Sequence, residues 1–354
     1  MDAGKYLTIP PGAIIPGAMP EFTIYLLSPQ GKYILWALEG NKVSSEQFAR
    51  LSESGTKEVF VDVKEKFKYE QYLETHLGDI LESQWSSDNQ KASIFSTVST
   101  AVVKTAFEAS FGLGKMGEDT LQRTQRMVEK ALIFIAESKS LQALTTMIGH
   151  DYQTYEHATK VLWYTVAFLR NNQDIPERIQ SGYHALNEKQ KMEMLRQCGV
   201  GALLHDIGKA FISPEILNKN GPLTEVEMEI MKRHPLNGLA MLLDSEIPNF
   251  VKKAILHHHE DFRGGGYPMS LEGLNINILA RVLRIIDAFD AMTSRRPYKD
   301  AMPAGKAMQI MIGTPADTGE NAASDQDDRD HGMRQCFDEE LLRKFIVFLG
   351  NMKL

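Results

Sequence analysis

The sequence has few cysteines and no long apolar run. Only two of its 354 residues are cysteine, Cys198 and Cys336, which excludes a disulfide framework and a cysteine-rich zinc site. No apolar run approaches the roughly 18–20 residues that a membrane-spanning helix needs. The first residues also lack the basic and then apolar order of a signal peptide. We therefore expect a cytoplasmic protein that is not embedded in a membrane.

An excess of positive charge is also missing. The chain has 39 Lys and Arg against 46 Asp and Glu, a formal net charge of −7. A broad electrostatic grip on DNA or RNA needs a basic face, so nucleic acid polymers are not expected partners. A small anionic ligand is not excluded, because a few local cations are enough to hold one. Apolar residues make up 43% and charged residues 24%, which is typical of a folded protein.

Residues 1–90 are predicted to form a small α+β module. A lead-in rich in proline and glycine over 1–20 is expected to be extended, and the apolar runs FTIYLLSP and KYILWALEG predict a hairpin. A short helix capped by Ser44 or Ser45 follows, then the strand KEVFVDV and a helix over KYEQYLETHLGDILES. No motif assigns this module a function. A regulatory or interaction role is expected from architecture alone, by sensing a ligand, by dimerising or by contacting a partner.

Helical periodicity dominates the rest of the chain. Residues 91–147 are predicted to be connecting helices, at 96–111 and 117–138, which either pair two chains into a homodimer or face the core. Residues 148–354 are predicted to be an all-helical domain, so the protein as a whole is expected to be mainly α. Over 313–335 acidic residues are frequent and apolar residues are scarce, which predicts a mobile acidic loop, either a solvated insertion or a regulatory segment.

Two motifs place histidines directly after apolar runs. GALLHDIGK brings His205 and Asp206 to the end of a buried segment, and imidazole with carboxylate suits iron, manganese or zinc better than calcium. AILHHHEDFRGGGYP ends an apolar helix with His257, His258 and His259, before a glycine-rich loop. Three successive histidines inside a chain are unusual as a chance helix terminus. The run of histidines therefore predicts metal ligands. The pair of His205 and Asp206 supports that prediction only together with the other motifs, because such a dipeptide also occurs by chance.

Further histidines and carboxylates extend this set. His234 lies in MKRHPLNG, and His157 lies on a predicted helix upstream. Asp287 lies in an apolar helical pattern, where a buried carboxylate needs a cation or strong hydrogen bonds. Asp290 is predicted to support a ligand or to cap the helix. Five histidines and two aspartates are too many for one tetrahedral zinc, and they predict two octahedral metals bridged by a carboxylate, which can orient phosphate oxygens for an in-line displacement.

The order of these motifs resembles the HD-GYP family, the cyclic di-GMP phosphodiesterases within the wider HD hydrolase group. The matching strings are HDIGK, ILNKNGPLT, MKRHPLNG, HHE, GGGYP, DAFDAMTSRRPYK and FDEELLRKF. The resemblance covers roughly residues 148–350. Its most specific part is the order of three strings: HHE, then GGGYP, then DAFDAMTSRRPYK. It implies an all-helical HD-type domain over 148–354 and hydrolysis of cyclic di-GMP to pGpG, with GMP as the product of further hydrolysis.

The resemblance implies seven metal ligands, with Asp206 bridging two ions. One ion is then held by His157, His205 and Asp287, and the other by His234, His258 and His259. Iron is the first expectation for both ions and manganese the next.

The resemblance also implies a substrate-binding set. Lys209 is expected near the scissile phosphate, and Arg296 and Lys299 are expected to hold the ligand's phosphates. Gly266 and Tyr267 belong to a loop beside the metals, and contact of Tyr267 with the ligand or with a partner protein stays open. The alternative to an enzyme is a receptor that binds a cyclic dinucleotide or a signalling partner without turnover. The presence of every ligand position favours the enzyme.

The sequence departs from the family pattern at three places. Gln153 stands where some members carry a glutamate for a third metal. A neutral amide is a poor ligand for a cation, so no third ion is expected and pGpG is favoured as product. Arg263 stands where the family usually has Asp, and it either changes the packing of the loop or adds a phosphate contact. The 48 positions from His157 to His205 exceed the family's usual spacing. They predict an inserted loop with a helix extension, and they leave His150 as the alternative to His157.

Overall fold

The computed structural model describes residues 4–110, 115–136, 154–295, 301–313 and 333–352. The chain divides into two compact units, Met1–Val98 and Ser99–Leu354. Helices dominate, with one small sheet in the first unit, so the prediction of a mainly α protein with an α+β N-terminal module is confirmed. Within the described residues no helix combines the length and the apolar character that crossing a bilayer requires.

The first unit contains a four-stranded antiparallel sheet with the strand order β1-β4-β2-β3. Its strands are β1 (Tyr6–Ile9), β2 (Ile24–Leu27), β3 (Tyr33–Ala37) and β4 (Val59–Asp62). The hairpin of β2 and β3 and the strand β4 confirm the sequence prediction. The expectation that residues 1–20 form only an extended lead-in is wrong over β1, because Tyr6–Ile9 pairs with β4, from Tyr6 opposite Asp62 to Ile9 opposite Val59.

The first unit also contains three helices, α1 (Ser45–Glu53), α2 (Lys66–Thr75) and α3 (Leu77–Glu82), of which α2 packs against β4. The N-cap of α1 is Ser44, which forms a capping box with Gln47. The helix predicted over KYEQYLETHLGDILES is divided at His76 into α2 and α3. Its predicted apolar face is nevertheless buried throughout, at Tyr69, Tyr72, Leu73, Leu77, Ile80 and Leu81.

Helix α4 (Asp88–Ser110) begins eight residues before the predicted start at 96. The polar stretch near residues 83–93 was expected to be a boundary, but it contains a helix start. The Ser87 hydroxyl accepts a hydrogen bond from the Gln90 amide at 3.3 Å, and the Gln90 side chain accepts one from the Ser87 amide at 2.9 Å. These polar residues therefore cap a helix, and the division between the two units falls inside α4. The domain boundary at residue 90 stays a prediction.

The core of the second unit is formed by α5 (Glu118–Ala136), α6 (Thr154–Asn171) and α8 (Glu188–Leu204). Close packing depends on Gly199, because a Cβ there would lie 2.8 Å from Leu162 Cδ1 and 3.0 Å from Val128 Cγ1. Helix α5 buries its apolar side in this core, which is the core-facing alternative for the connecting helices.

The long spacing between His157 and His205 is filled as predicted. A short helix α7 (Asp174–Ile179) and a 3-10 turn at Tyr183–Ala185 follow α6, and α8 then begins at an Asn187–Gln190 capping box. Residues 137–153, with His150 and Gln153, lie outside the described part of the chain, as do 296–300 and 314–332. The predicted acidic loop over 313–335 therefore stays a prediction.

The described residues of the second unit contain seven further helices. They are α9 (Pro214–Leu217), α10 (Glu225–Met231), α11 (His234–Leu242), α12 (Asn249–His257), α13 (Ile278–Thr293), α14 (Ala304–Ile312) and α15 (Glu339–Asn351). Helices α12 and α13 pack together, and α13 also packs against α6. This arrangement brings the ends of several helices to one place.

Candidate metal centre

The predicted ligands lie at the ends of helices or on faces that point toward those ends. His205 follows the last residue of α8, His234 begins α11, and His258 follows the last residue of α12. Asp287 lies on α13, and His157 lies in the second turn of α6. His157, His205, Asp206, His234 and His258 are almost fully buried. Ligands separated by up to 130 positions in the sequence thus converge in the fold.

The ligand atoms form two groups, each within 4.8 Å. One group is His157, His205 and Asp287, and the other is Asp206, His234, His258 and His259. The structure therefore brings together all seven residues that were predicted as ligands. His157 Nε2 lies 3.1 Å from Asp287 Oδ1, so His157 takes the place for which His150 was the alternative.

The Asp206 carboxylate lies between the two groups. Its Oδ1 is 3.2 Å from His234 Nε2 and 3.7 Å from His258 Nε2. Its Oδ2 is 3.4 Å from His205 Nε2 and 3.9 Å from His157 Nε2. Each oxygen thus faces a different set of imidazoles, which is the geometry that a bridging carboxylate needs.

Backbone carbonyls fix the tautomer of three of these histidines. His205 Nδ1 donates to the Ala202 carbonyl at 2.7 Å, and His234 and His258 make the same bond to the carbonyl three residues earlier, at 2.8 and 2.7 Å. A carbonyl oxygen only accepts, so each Nδ1 carries the proton and each neutral ring keeps its Nε2 lone pair. These lone pairs point into the site, which is how ligand histidines are usually oriented.

The Nε2 atoms show that a cation fits this site. His234 Nε2 and His258 Nε2 lie 3.1 Å apart, and in the tautomers just described neither has a hydrogen to give the other. His205 Nε2 is buried and makes no hydrogen bond with any described residue, although buried polar atoms normally have a partner. A cation among these nitrogens and the Asp206 carboxylate would satisfy all of them. The donor set of imidazole and carboxylate suits a transition metal.

His157 is oriented by a carboxylate and not by a carbonyl. Its Nδ1 lies 2.7 Å from Asp290 Oδ2. Asp290 Oδ1 accepts a hydrogen bond from the Ser294 hydroxyl at 3.1 Å, and the buried Lys160 donates to that hydroxyl at 2.9 Å. Asp290 thus supports a predicted ligand, which was one of the two roles left open for it. Lys160 and Ser294 were not singled out from the sequence, because only the fold brings them to Asp290.

Charge in the site favours an ionised Asp206 carboxylate and neutral His258 and His259 imidazoles. Burial alone would raise the pKa of Asp206, but the adjacent Lys209 ammonium outweighs it and holds that pKa well below its ordinary value. Burial lowers the pKa of His258 to about 4. Burial also lowers the pKa of His259 well below its ordinary value. These are the protonation states in which such side chains bind metals.

The loop that follows His259 packs closely against the site. Glu260 is buried and accepts hydrogen bonds from the Met269 amide at 2.6 Å and the Leu271 amide at 2.9 Å. A Cβ at Gly266 would lie 2.2 Å from the Asp261 amide nitrogen, so only glycine fits there. The Tyr267 ring stacks on His259, with centroids 4.8 Å apart. Glu260 was quoted in the HHE motif without a role, and its partners lie nine and eleven residues further along.

A cleft of about 520 Å³ opens beside the ligand groups. Its walls include Lys209, His259, Tyr267, Arg284 and Asp287. Lys209 Nζ donates to Asp206 Oδ2 at 2.5 Å. The predicted residues Lys209 and Tyr267 are thus brought to the ligands, and Gly266 lies against Glu260 and Asp261. Arg296 and Lys299 lie outside the described residues.

Arg263 contributes to loop packing. Its guanidinium lies 2.8 Å from Glu339 Oε1 at the start of α15, and its amide donates to the Gln335 carbonyl at 3.1 Å. The neighbouring Phe262 amide donates to the Cys336 carbonyl at 3.0 Å. Of the two roles left open for Arg263, this pairing matches the change in loop packing.

Comparison with known proteins agrees with the motifs. Residues 167–317 match the model of the HD domain family. A cyclic di-GMP phosphodiesterase of Pseudomonas aeruginosa is 30% identical over 278 residues, which is 76% of this chain and 63% of that protein. The chain thus contains an HD domain and has relatives that are named cyclic di-GMP phosphodiesterases.

Two further proteins are similar to this chain. The cyclic di-GMP phosphodiesterase response regulator RpfG of Xanthomonas campestris pv. campestris is 32% identical over 197 residues, 54% of this chain and 50% of that protein. The chain thus spans less than two thirds of either curated relative. An HDG"Y"P protein from Bdellovibrio bacteriovorus has a TM-score of 0.59 at 16% identity, over 98% of this chain and 99% of that one. That likeness concerns the fold alone.

Proposed function

We propose that this chain hydrolyses the 3′–5′ phosphodiester of cyclic di-GMP to pGpG with two divalent metal ions, iron first and manganese next. The observation that carries the proposal is the position of Asp206, whose two carboxylate oxygens face two different groups of imidazoles at 3.2–3.9 Å. The P. aeruginosa and X. campestris relatives, both named cyclic di-GMP phosphodiesterases, support the same substrate.

The seven predicted residues are the proposed ligands. His157, His205 and Asp287 would hold one ion, and His234, His258 and His259 the other, with Asp206 shared between them. Two such ions polarise phosphoryl oxygens, lower the pKa of bound water and stabilise both the attacking and the leaving oxygen of an in-line displacement. A third ion is not proposed because of Gln153, which lies outside the described residues, and this favours pGpG over GMP as the main product.

The side chains around the cleft are proposed to bind and orient the dinucleotide. Lys209 is fixed by Asp206 at the cleft wall, where its ammonium would balance charge on the phosphate. The ring of Tyr267 is held against His259 by stacking, which places an aromatic surface beside the ligand. A volume of about 520 Å³ is within the range of small-ligand pockets. Arg296 and Lys299 remain proposed phosphate contacts.

Partners other than the substrate remain proposals. The N-terminal module or the loop of Tyr267 is the proposed contact for a signalling protein, and a homodimer and a cytoplasmic location remain expectations from the sequence.

Metal content and turnover test this function together. Anaerobically purified protein should contain about two metal ions per chain and hydrolyse cyclic di-GMP to pGpG. The variant Asp206→Ala should lose activity and metal, whereas the exposed Asp244→Asn should keep both. If the protein is loaded with iron or manganese and binds cyclic di-GMP without hydrolysing it, the protein is a receptor and not an enzyme. Three or more ions per chain would contradict the two-metal site.

A further inference from the structure

Arg284 is a cation at the cleft that the family motifs do not include. It lies on α13, three residues before Asp287, so both side chains are on the same helical face. It forms part of the wall of the 520 Å³ cleft together with Lys209 and Tyr267. Its side chain keeps only 16% of its surface exposed, and that exposure includes the cleft.

The guanidinium of Arg284 is held in a fixed orientation. Its Nε and Nη2 both donate to Asp261 Oδ1, at 3.0 and 2.8 Å. The ring of Phe337 lies 5.9 Å from its Cζ. Asp261 follows the clamped Glu260 directly in the chain, so the loop that carries Tyr267 also anchors Arg284. A planar donor group that is already immobilised loses little entropy when it binds a ligand.

The pairing with Asp261 determines which ligand group suits Arg284. The Cys336 thiol also lies beside the guanidinium, but a thiol is a weak acceptor that a ligand can replace. Nη1 and the second hydrogen of Nη2, which do not bond to Asp261, therefore form a pair of parallel donors for a ligand. The Asp261 carboxylate compensates the positive charge, which reduces the attraction for a phosphate but leaves these donors in place. Guanine presents two adjacent acceptors, O6 and N7, that match two parallel arginine donors. Adenine presents N7 beside an amino donor, which does not match them.

The geometry points to Arg284 as the residue that recognises a guanine base of the substrate through O6 and N7. This inference rests on the proposed function and adds base specificity to it. The phosphate is assigned to the metals and Lys209, so Arg284 is left for a base. Apolar side chains of the same cleft, among them Leu217, Leu223 and Met292, provide surface for the face of that base.

Two substitutions separate recognition of a base from attraction by charge. Arg284→Gln removes the charge and the paired donors, and Arg284→Lys keeps the charge but removes the paired donors. For both variants we expect the dissociation constant and KM for cyclic di-GMP to rise about 10- to 100-fold, the range for one bidentate base contact. We expect cyclic di-AMP to bind both variants as it binds the unchanged protein, and kcat and metal content to stay within about twofold of their original values.

Arg196→Gln is the matched control. Arg196 makes a similar two-nitrogen pair with Glu193, at 2.6 and 2.7 Å, but lies on α8 away from the cleft wall. This variant should leave both dissociation constants unchanged. A loss shared equally by the two dinucleotides, with Arg284→Lys restoring affinity, would identify a phosphate contact and overturn the inference.

Different experimental results refute the inference and the proposed function. If the unchanged protein does not hydrolyse cyclic di-GMP but binds it, the enzyme is refuted, and the binding constants of the variants still test Arg284. If hydrolysis occurs and Arg284→Gln leaves affinity and KM unchanged, only the inference is refuted. If cyclic di-GMP does not bind at all, both are refuted.

Discussion

At the scale of single residues, the site depends on hydrogen bonds that orient each imidazole. His205, His234 and His258 donate to backbone carbonyls, whereas His157 lies against the Asp290 carboxylate. A carboxylate on Nδ1 makes the imidazole more basic and holds its ring in place. The affinity of His157 for a metal ion is therefore expected to depend on the Asp290 side chain, which a substitution can change.

Asp290→Asn should weaken metal binding without removing a ligand. The amide keeps the size of the carboxylate but removes its charge, and loss of such a supporting group typically costs 10–100-fold in metal affinity. Titration with Mn²⁺ under competition with a chelator measures this change. The control is Asp244→Asn on the protein surface. Equal metal affinity of the Asp290 variant and the unchanged protein would mean that Asp290 has no supporting role.

At the scale of elements, the site requires backbones to approach closely. The 3-10 helix Ile207–Phe211, which carries Lys209, packs against α11. A Cβ at Gly208 would lie 2.0 Å from the His234 carbonyl oxygen and 2.4 Å from the Gly238 amide nitrogen. Contact with backbone atoms at this distance cannot be relieved by rotating a side chain, so the two elements must move apart.

Gly208→Ala should therefore destabilise the protein and disturb the site. The expected loss in the free energy of unfolding is about 2–3 kcal/mol, toward the upper end for overpacked positions, and His234 should move away from Asp206. Denaturant unfolding measures the first effect, and metal content measures the second. Gly305→Ala is the control, since a Cβ there meets nothing within 4 Å and alanine favours a helix. Similar stabilities of the two variants would contradict the close packing.

The elements also show what sequence could and could not predict. Six of the seven proposed ligands could be singled out because each lies in a short motif, whereas His157 lies in none of the matching strings and had His150 as its alternative. Strand β1 was missed because its partner β4 lies more than fifty residues away. The start of α4 was missed because its capping residues are polar, like those of a linker. The roles of Glu260 and Arg284 depend on partners that only the fold brings near.

At the scale of the whole molecule, the net charge of −7 and the local cations affect different classes of ligand. The acidic balance disfavours long nucleic acids, whereas Lys209 and Arg284 lie at one cleft of the second unit. All seven proposed ligands belong to that unit, and the sheet belongs to the other. Metal binding is therefore expected to stabilise one unit directly.

Hydrogen exchange with and without metal tests this expectation. A ligand at 100 times its dissociation constant stabilises the folded state by about 2.7 kcal/mol. Saturating Mn²⁺ should therefore slow exchange at the ends of α8 and α12 and leave the strands β1–β4 unchanged. The Asp206→Ala variant is the control and should show no protection by metal. Protection confined to the sheet would contradict the location of the site.

The three carbonyl-bound histidines have a consequence for how this protein tolerates changes in length. The carbonyls of Ala202, Met231 and Ile255 each belong to the last turn of a helix, where backbone acceptors lack helical partners. Each ring thus completes a helix end, and one residue inserted in that turn would rotate its histidine by about 100°. Residues 172–187 connect two helices and contain no proposed ligand. An insertion in such a connection leaves the proposed ligands in place, whereas an insertion in one of the three final turns would displace a proposed ligand.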